Sequence, residues 1–257
     1  MDRIENIEEK IKEARKMIID IAATLTGCHI GGSLSVIDVL MVTYFQYLED
    51  KSTKIILSKG HAAAALYATL YSYNLIDENP VKSYGNKDSL FTGHPNHKIK
   101  NIPFSTGSLG HGISYAAGCA LAEKIKGSNG LGIAICGDGE LQEGLCWETF
   151  QIVQAKNINN FMCIVDINKC QNDGLVIDIS PMNNLKARFE ALDFEVREID
   201  GHNIEEILLA IKPNRKKPIV VLAKTIKGKG IKAMEGNPEC HYAKIPNRLA
   251  EKWKGML

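Results

Sequence analysis

Three runs of the chain are apolar almost without a break: LGIAIC (131–136), FMCIVDI (161–167) and PIVVLAK (218–224). A strand with one wet face alternates, whereas a strand covered on both faces reads as a continuous apolar run. Two weaker runs, KIILS (54–58) and FEVREI (194–199), bring the expected strands to about five. Helical patterns separate most of them, which implies parallel strands joined by right-handed crossovers. The expectation is an α/β fold with a central, mainly parallel sheet and helices on both faces.

Ile4, Ile7, Ile11, Ala14, Ile18 and Ile21 recur at helical spacing and predict an amphipathic first helix over 3–24. A second helix is expected to start after Ser33 or Ser35, either of which could cap it. Further helices are expected at about 142–156 and 111–126, the latter entered by a turn through Gly107, Gly110 and Gly112. No repeat, low-complexity tract or linker interrupts the 257 residues, so one domain over 1–257 is expected. A domain of that size buries roughly three quarters of its unfolded surface. The stretch 75–106, rich in Asn, Asp, Gly and Pro, is too long for an idle connection.

Charge narrows the function classes. The 31 basic and 30 acidic residues are spread along the chain, which argues against a nucleic-acid or anionic-membrane surface. No apolar run approaches the roughly 18 residues that span a bilayer. MDRIENIEEK at the N-terminus lacks the apolar core of a secretion signal. The seven cysteines show no C-x-x-C pair and no zinc spacing, and several lie in apolar stretches. A reduced, cytoplasmic protein is the expectation.

The run LGIAIC passes into GDGELQEG, so Asp138 stands between Gly137 and Gly139 at a strand end. Asn168 follows the next strand in DINKCQNDG. In open parallel sheets ligands bind beyond the carboxyl ends of strands, so neighbouring strands would bring both side-chain oxygens together. A carboxylate, an amide oxygen and a main-chain carbonyl suit a hard divalent cation that also grips phosphates. The glycines admit a diphosphate closely, and N–H groups at the following helix start favour its charge. Taken alone, the same residues equally describe a turn in which Asp138 caps a helix and Asn168 ends a strand.

GDGELQEGLCWET followed by DINKCQNDG resembles transketolase, in its N-terminal, thiamine-diphosphate-binding domain. The resemblance runs through GCHIGGSLS (27–35), LSKGHAAAALYATL (57–70), GHP (93–95), STGSLGHGIS (105–114), IDGHN (199–203) and KTIKGKG (224–230). It implies the thiamine-diphosphate-binding fold, with Asp138, Asn168 and the main-chain carbonyl of Cys170 holding Mg2+, or another divalent cation such as Ca2+ or Mn2+. Gly137 and Gly139 would meet the diphosphate, Gly107 and Leu109 the rings of the cofactor. Glu143 would join the cofactor site near a subunit boundary, and Glu148 would lie near the same boundary. His29, His61, His94 and His241 would line the sugar channel and move protons, with His61 and His241 also touching the cofactor. His241 is followed by Tyr242, where the family has a small residue, which puts its alignment in question. His111 stands where many relatives have Gln. His97 and His202 are expected to be surface or structural. KGKG (227–230) lacks the phosphate-loop pattern and is expected to be a flexible loop that folds over the cofactor.

The resemblance stops before the pyrimidine-binding domain, whose glutamate activates the cofactor's aminopyrimidine. The expectation is therefore the N-terminal subunit of a split transketolase rather than a truncated chain, favoured by Met1 and a complete domain. It would work as an α2β2 heterotetramer with a C-terminal subunit, moving a two-carbon ketol unit between sugar phosphates. The alternatives are a relative specialised for an unusual sugar and a non-catalytic scaffold.

Overall fold

The computed structural model describes residues 3–257; Met1 and Asp2 of the expected 1–257 domain lie outside the described residues. The elements in chain order are α1 (Arg3–Ala22), α2 (Ile30–Gln46), β1 (Lys54–Leu57), α3 (Ala63–Ser72), α4 (His111–Ile125), β2 (Gly132–Gly137), α5 (Gly144–Ala155), β3 (Phe161–Ile167), β4 (Cys170–Gln171), β5 (Gly174–Leu175), α6 (Val176–Ile179), α7 (Leu185–Ala191), β6 (Glu195–Asp200), α8 (Ile204–Ala210), β7 (Ile219–Lys224) and α9 (Asn247–Lys254). The main sheet has the order β1-β2-β3-β7-β6, with every pairing parallel. All five expected strands are present within a residue of their sequence bounds. The antiparallel pair β4–β5, two residues each, is too short to leave an apolar pattern.

Continuous apolar runs form the centre because both sheet faces are covered. On one face Ile133, Ile135, Met162, Ile164 and Val221 pack against α1, α2, α3 and α8. On the other, Ala134, Cys136, Cys163, Val165 and Val220 meet α4, α5 and Phe189 of α7. The edge strand β6 buries less, which is why FEVREI is the most polar of the five runs. Cys136 and Cys163, on neighbouring strands, are free thiols whose sulfurs share a hydrogen bond at 3.5 Å.

α2 is buried along nearly its whole length. It begins at Ile30, earlier than a Ser33 or Ser35 cap would place it. Both hydroxyls are engaged elsewhere: Ser33 donates to the His29 carbonyl at 2.8 Å and Ser35 to the Asp166 carboxylate at 2.7 Å. The helix expected from Gln142 starts instead at Gly144, after a 3-10 turn over Gly139–Gln142.

The register aligns the strand ends. Leu57 lies opposite Ile135, Gly137 opposite Asp166, and Ile167 opposite Lys224. Lys59, Asp138, Asn168 and Thr225 therefore leave the sheet at one edge, where a parallel sheet gathers its ligands.

Candidate active site

That edge opens into a cavity of about 370 Å3, lined by Lys59, His61, His94, Gly107, Leu109, Gly137, Asp138, Gly139, Glu143, Asn168, Cys170, Lys227 and His241 among others. A larger groove of about 740 Å3 runs along residues 76–100. Its charged lining groups, such as Asp77, Glu78 and Lys87, are solvent-exposed, and it contains no strand-end residue. The strand-end groups gather at the smaller cavity.

Asp138 and Asn168 stand beside each other, as neighbouring strands require. The Asp138 carboxylate accepts N–H bonds from Gly139 (2.9 Å) and Lys169 (2.7 Å). Burial, then the nearby Asp166 charge, lift its pKa to about 6. A buried carboxylate held that high is a group that gains from a cation. Asn168 Nδ2 donates to Ser35 and Asp166, both at 3.1 Å, while its Oδ1 accepts from Cys170 N–H at 3.0 Å. Those donors fix which end of the amide is oxygen.

Among the described residues no group of three or more His, Cys, Asp or Glu side chains forms a metal cluster. A cation here would rest on a mixed oxygen set of carboxylate, amide and main-chain carbonyl, which fits a hard divalent ion. Room for a diphosphate fits as well. A side chain on Gly137 would meet nothing nearer than the Lys59 stem at 4.0 Å, so the missing Cβ leaves open cavity.

Sequence reading missed three groups that hold this edge together. Asp166, fully buried, pairs with Lys59 and accepts from Ser35, Thr225 and Asn168. Lys227 is 1 % exposed, and its ammonium donates to the carbonyls of Gln171 (3.2 Å) and Pro238 (3.0 Å). Among the described residues it makes no ion pair, and burial lowers its pKa. An ammonium buried beside a cavity with only carbonyl partners suits an anionic ligand. The expected flexible loop at 227–230 is instead pinned: Gly228 N–H donates to Gly31 O and Arg15 to Lys229 O. The one available signal for Lys59 and Lys227 was position, since each follows a strand at this edge.

Glu140, also buried, joins the cavity's far wall. It accepts from Ser58 (2.5 Å), Gly110 N–H (2.8 Å) and Gly137 N–H (3.2 Å), drawing the turn with Gly107 and Leu109 onto the end of β2. Gly110 has φ +84°, and α4 follows at His111 as the turn reading expected. Glu143, Glu148 and His111 are solvent-exposed in the isolated chain, and His94 likewise.

The four histidines converge although they are up to 212 positions apart in sequence (241 − 29). The His29 ring centre lies 5.6 Å from that of His61, 6.0 Å from His94 and 5.1 Å from His241. A bridge between Cys28 and Ala243, with both N–H···O bonds at 3.0 Å, straps His241 to His29. Gly27 makes the strap possible: its φ is +73°, and a Cβ there would sit 2.5 Å from the Ala243 carbonyl oxygen. Tyr242 does not displace His241. Its ring stands edge-on to His29 at 4.9 Å, and its hydroxyl donates to Thr26 O at 2.6 Å.

Burial, then His94 and Lys227, push His29 down to about 4. Burial, then Lys227, do the same to His241. His61 is also lowered, by burial and Lys59. These rings are neutral at neutral pH and can each donate and accept. His29 Nδ1 is buried without a hydrogen-bond partner among the described residues. His97 bonds Ser105 at the surface, and His202 bonds Asp38 away from the cavity, so both fall where expected.

Residues 7–254 match the family described as transketolase, thiamine diphosphate binding domain. The chain is 36 % identical over 255 residues to an apulose-4-phosphate transketolase subunit of Actinobacillus succinogenes, covering 94 % of this chain and 92 % of that protein. It is 31 % identical to 6-deoxy-6-sulfo-D-fructose transketolase subunit SqwG of a Clostridium species, covering 98 % and 95 %. The crystal structure of transketolase from Campylobacter jejuni superposes with a TM-score of 0.85 at 31 % identity, covering 99 % of this chain but 43 % of that one.

Proposed function

The chain belongs to the transketolase family, in its thiamine-diphosphate-binding domain, and on that premise we propose that it is the diphosphate-binding subunit of a split transketolase. Coverage supports the division of labour. The chain spans nearly all of two relatives named as subunits and less than half of the Campylobacter jejuni transketolase chain. The observation that carries the reading is local: Asp138 and Asn168 share one cavity with Lys227, a buried ammonium that makes no ion pair among the described residues.

In this reading Asp138, Asn168 and the Cys170 carbonyl hold a divalent cation, Mg2+ or a similar ion. Gly137, Gly139 and Lys227 receive the diphosphate, with His61 and His241 alongside. Gly107, Leu109 and Glu143 form the side that meets the rings and the partner. Thiamine diphosphate, when bound, supplies the chemistry that breaks and makes the carbon–carbon bond. The protein orients it and manages protons. His29, His61, His94 and His241, mostly neutral and able both to donate and accept, hold ketose hydroxyls and pass protons as the two-carbon unit moves to an aldose. The partner is a C-terminal subunit carrying the pyrimidine-binding half, in an α2β2 assembly in the cytoplasm, and the substrates are sugar phosphates.

A specialised sugar is the second reading. Two relatives carry apulose-4-phosphate and sulfofructose in their names, and Tyr242 places a ring against His29 in the channel region. A mere scaffold would need neither the convergent histidines nor the oxygen set. The two polypeptides are assayed singly and then mixed, with thiamine diphosphate and Mg2+, on ketose phosphate donors. Ketol transfer by the mixture alone is expected; robust transfer by these 257 residues alone would refute the split reading.

A further inference from the structure

Away from the cavity, on the α1–α2 side of the sheet, buried Arg15 and Asp38 and half-buried His202 form a unit that the proposed chemistry does not use. Arg15 of α1 donates to the Asp38 carboxylate of α2 at 2.5 Å, and His202 Nδ1 reaches the same oxygen at 2.6 Å. His202 Nε2 accepts the Ile226 N–H at 3.0 Å. That acceptance fixes the tautomer: the ring is neutral, with its proton on Nδ1 and directed at Asp38. The other arm of Arg15 donates to Leu34 O (2.9 Å) and Lys229 O (2.8 Å). The unit therefore grips the 225–230 loop on either side of Lys227, at Ile226 and at Lys229.

The two carbonyl partners only partly offset the desolvation of the Lys227 ammonium, which makes no ion pair among the described residues, so its loop is biased outward until an anionic ligand arrives. Something must hold Lys227 in place beforehand. The two backbone grips from the Arg15–Asp38–His202 unit, with Gly228 N–H bonded to Gly31 O, supply that restraint.

We propose that Arg15, Asp38 and His202 are positioning residues for the cofactor's diphosphate, acting by clamping the loop that carries Lys227. The proposal rests on the reading that this cavity takes thiamine diphosphate.

The test is calorimetry of thiamine diphosphate with Mg2+ on the complex assembled with the C-terminal subunit. His202→Ala should weaken binding about ten- to a hundredfold, the range for losing a group that orients a ligand-holding residue. His202→Gln, which can still accept from Ile226 and donate to Asp38, should recover most of the loss. In the cycle with Lys227→Ala, the double variant should bind no worse than Lys227→Ala alone, since the clamp has nothing left to position. Hydrogen exchange at Ile226 and Gly228 should quicken in His202→Ala. Arg15→Lys, which keeps the charge but not the fork, should weaken binding too and decides the matter if His202→Ala does not fold. Wild-type affinity in His202→Ala, or fully additive losses in the cycle, would overturn the clamp and leave the transketolase reading standing. Failure of the unaltered complex to bind thiamine diphosphate would overturn both.

Discussion

The two ends of the cavity are built on opposite plans. At the strand edge, charged groups are buried and bonded into one network: Lys59 with Asp166, Asp166 with Ser35, Thr225 and Asn168, and Asp138 with two N–H donors. At the other end, four imidazoles gather with the His29 ring 5–6 Å from the other three, His94 is exposed, and His29 Nδ1 has no hydrogen-bond partner among the described residues. The first end has its geometry decided before anything binds. The second keeps hydrogen-bonding capacity in reserve. A fixed frame suits a constant group such as a diphosphate with its cation, and spare donors and acceptors suit sugars that differ in their hydroxyls.

The sharpest way to break this contrast is Asp138→Ala. It removes a proposed cation ligand but also a carboxylate whose burial is unfavourable, so binding of thiamine diphosphate with Mg2+ should vanish in calorimetry while circular dichroism keeps the native fold. Retained affinity would dissolve the distinction between the ends. Next in size is His94→Ala. Loss of a proton relay or hydrogen bond made at the reacting centre lowers turnover by about two to four powers of ten. Cofactor affinity should hardly move, because His94 lies at the histidine end; equal loss of both would merge the two.

Acid separates the ends in the free subunit. Between about pH 6.5 and 4 the unfolded chain takes up protons on His29 and His241 that the folded cluster, at about 4, refuses. Stability from that end therefore falls as pH drops through this window. Asp138 works the other way: its folded pKa of about 6 lies above the unfolded value, so the folded chain binds a proton first. Asp138→Ala should then lose denaturant stability more steeply than the native chain between about pH 6 and 4.5. Parallel curves would show that the two ends do not oppose each other. The smallest effect belongs to Tyr242→Phe, which removes the bond to Thr26 O and should cost about 1 kcal/mol in urea unfolding.

Much of this was legible beforehand because it depends on period and position. Continuous apolar runs announced strands covered on both faces, and Asp138 and Asn168 were locatable as strand-end residues on neighbouring strands. The start of α2 was not, because a serine reads as a cap unless one knows that Asp166, 131 positions after Ser35, claims its hydroxyl. Nothing local marked Lys59 or Lys227 as buried, for the same reason. Lys59 is paired with Asp166, 107 positions away, and Lys227 reaches the Gln171 carbonyl 56 positions away as well as that of Pro238, so no local window accounts for either.

The free thiols of Cys136 and Cys163 make the chain its own stopwatch. Thiol reagents attack the thiolate, and burial pushes Cys28, Cys136 and Cys146 far up while removing them from solvent. Alkylation of Cys136 must wait until the centre of the sheet comes apart, so its rate counts global openings. Cys170, in the cavity wall, should react through smaller local openings. The ratio of the two labelling rates separates loosening of the cavity from unfolding of the whole chain, and a docked partner or bound cofactor should slow the Cys170 hand of the clock first.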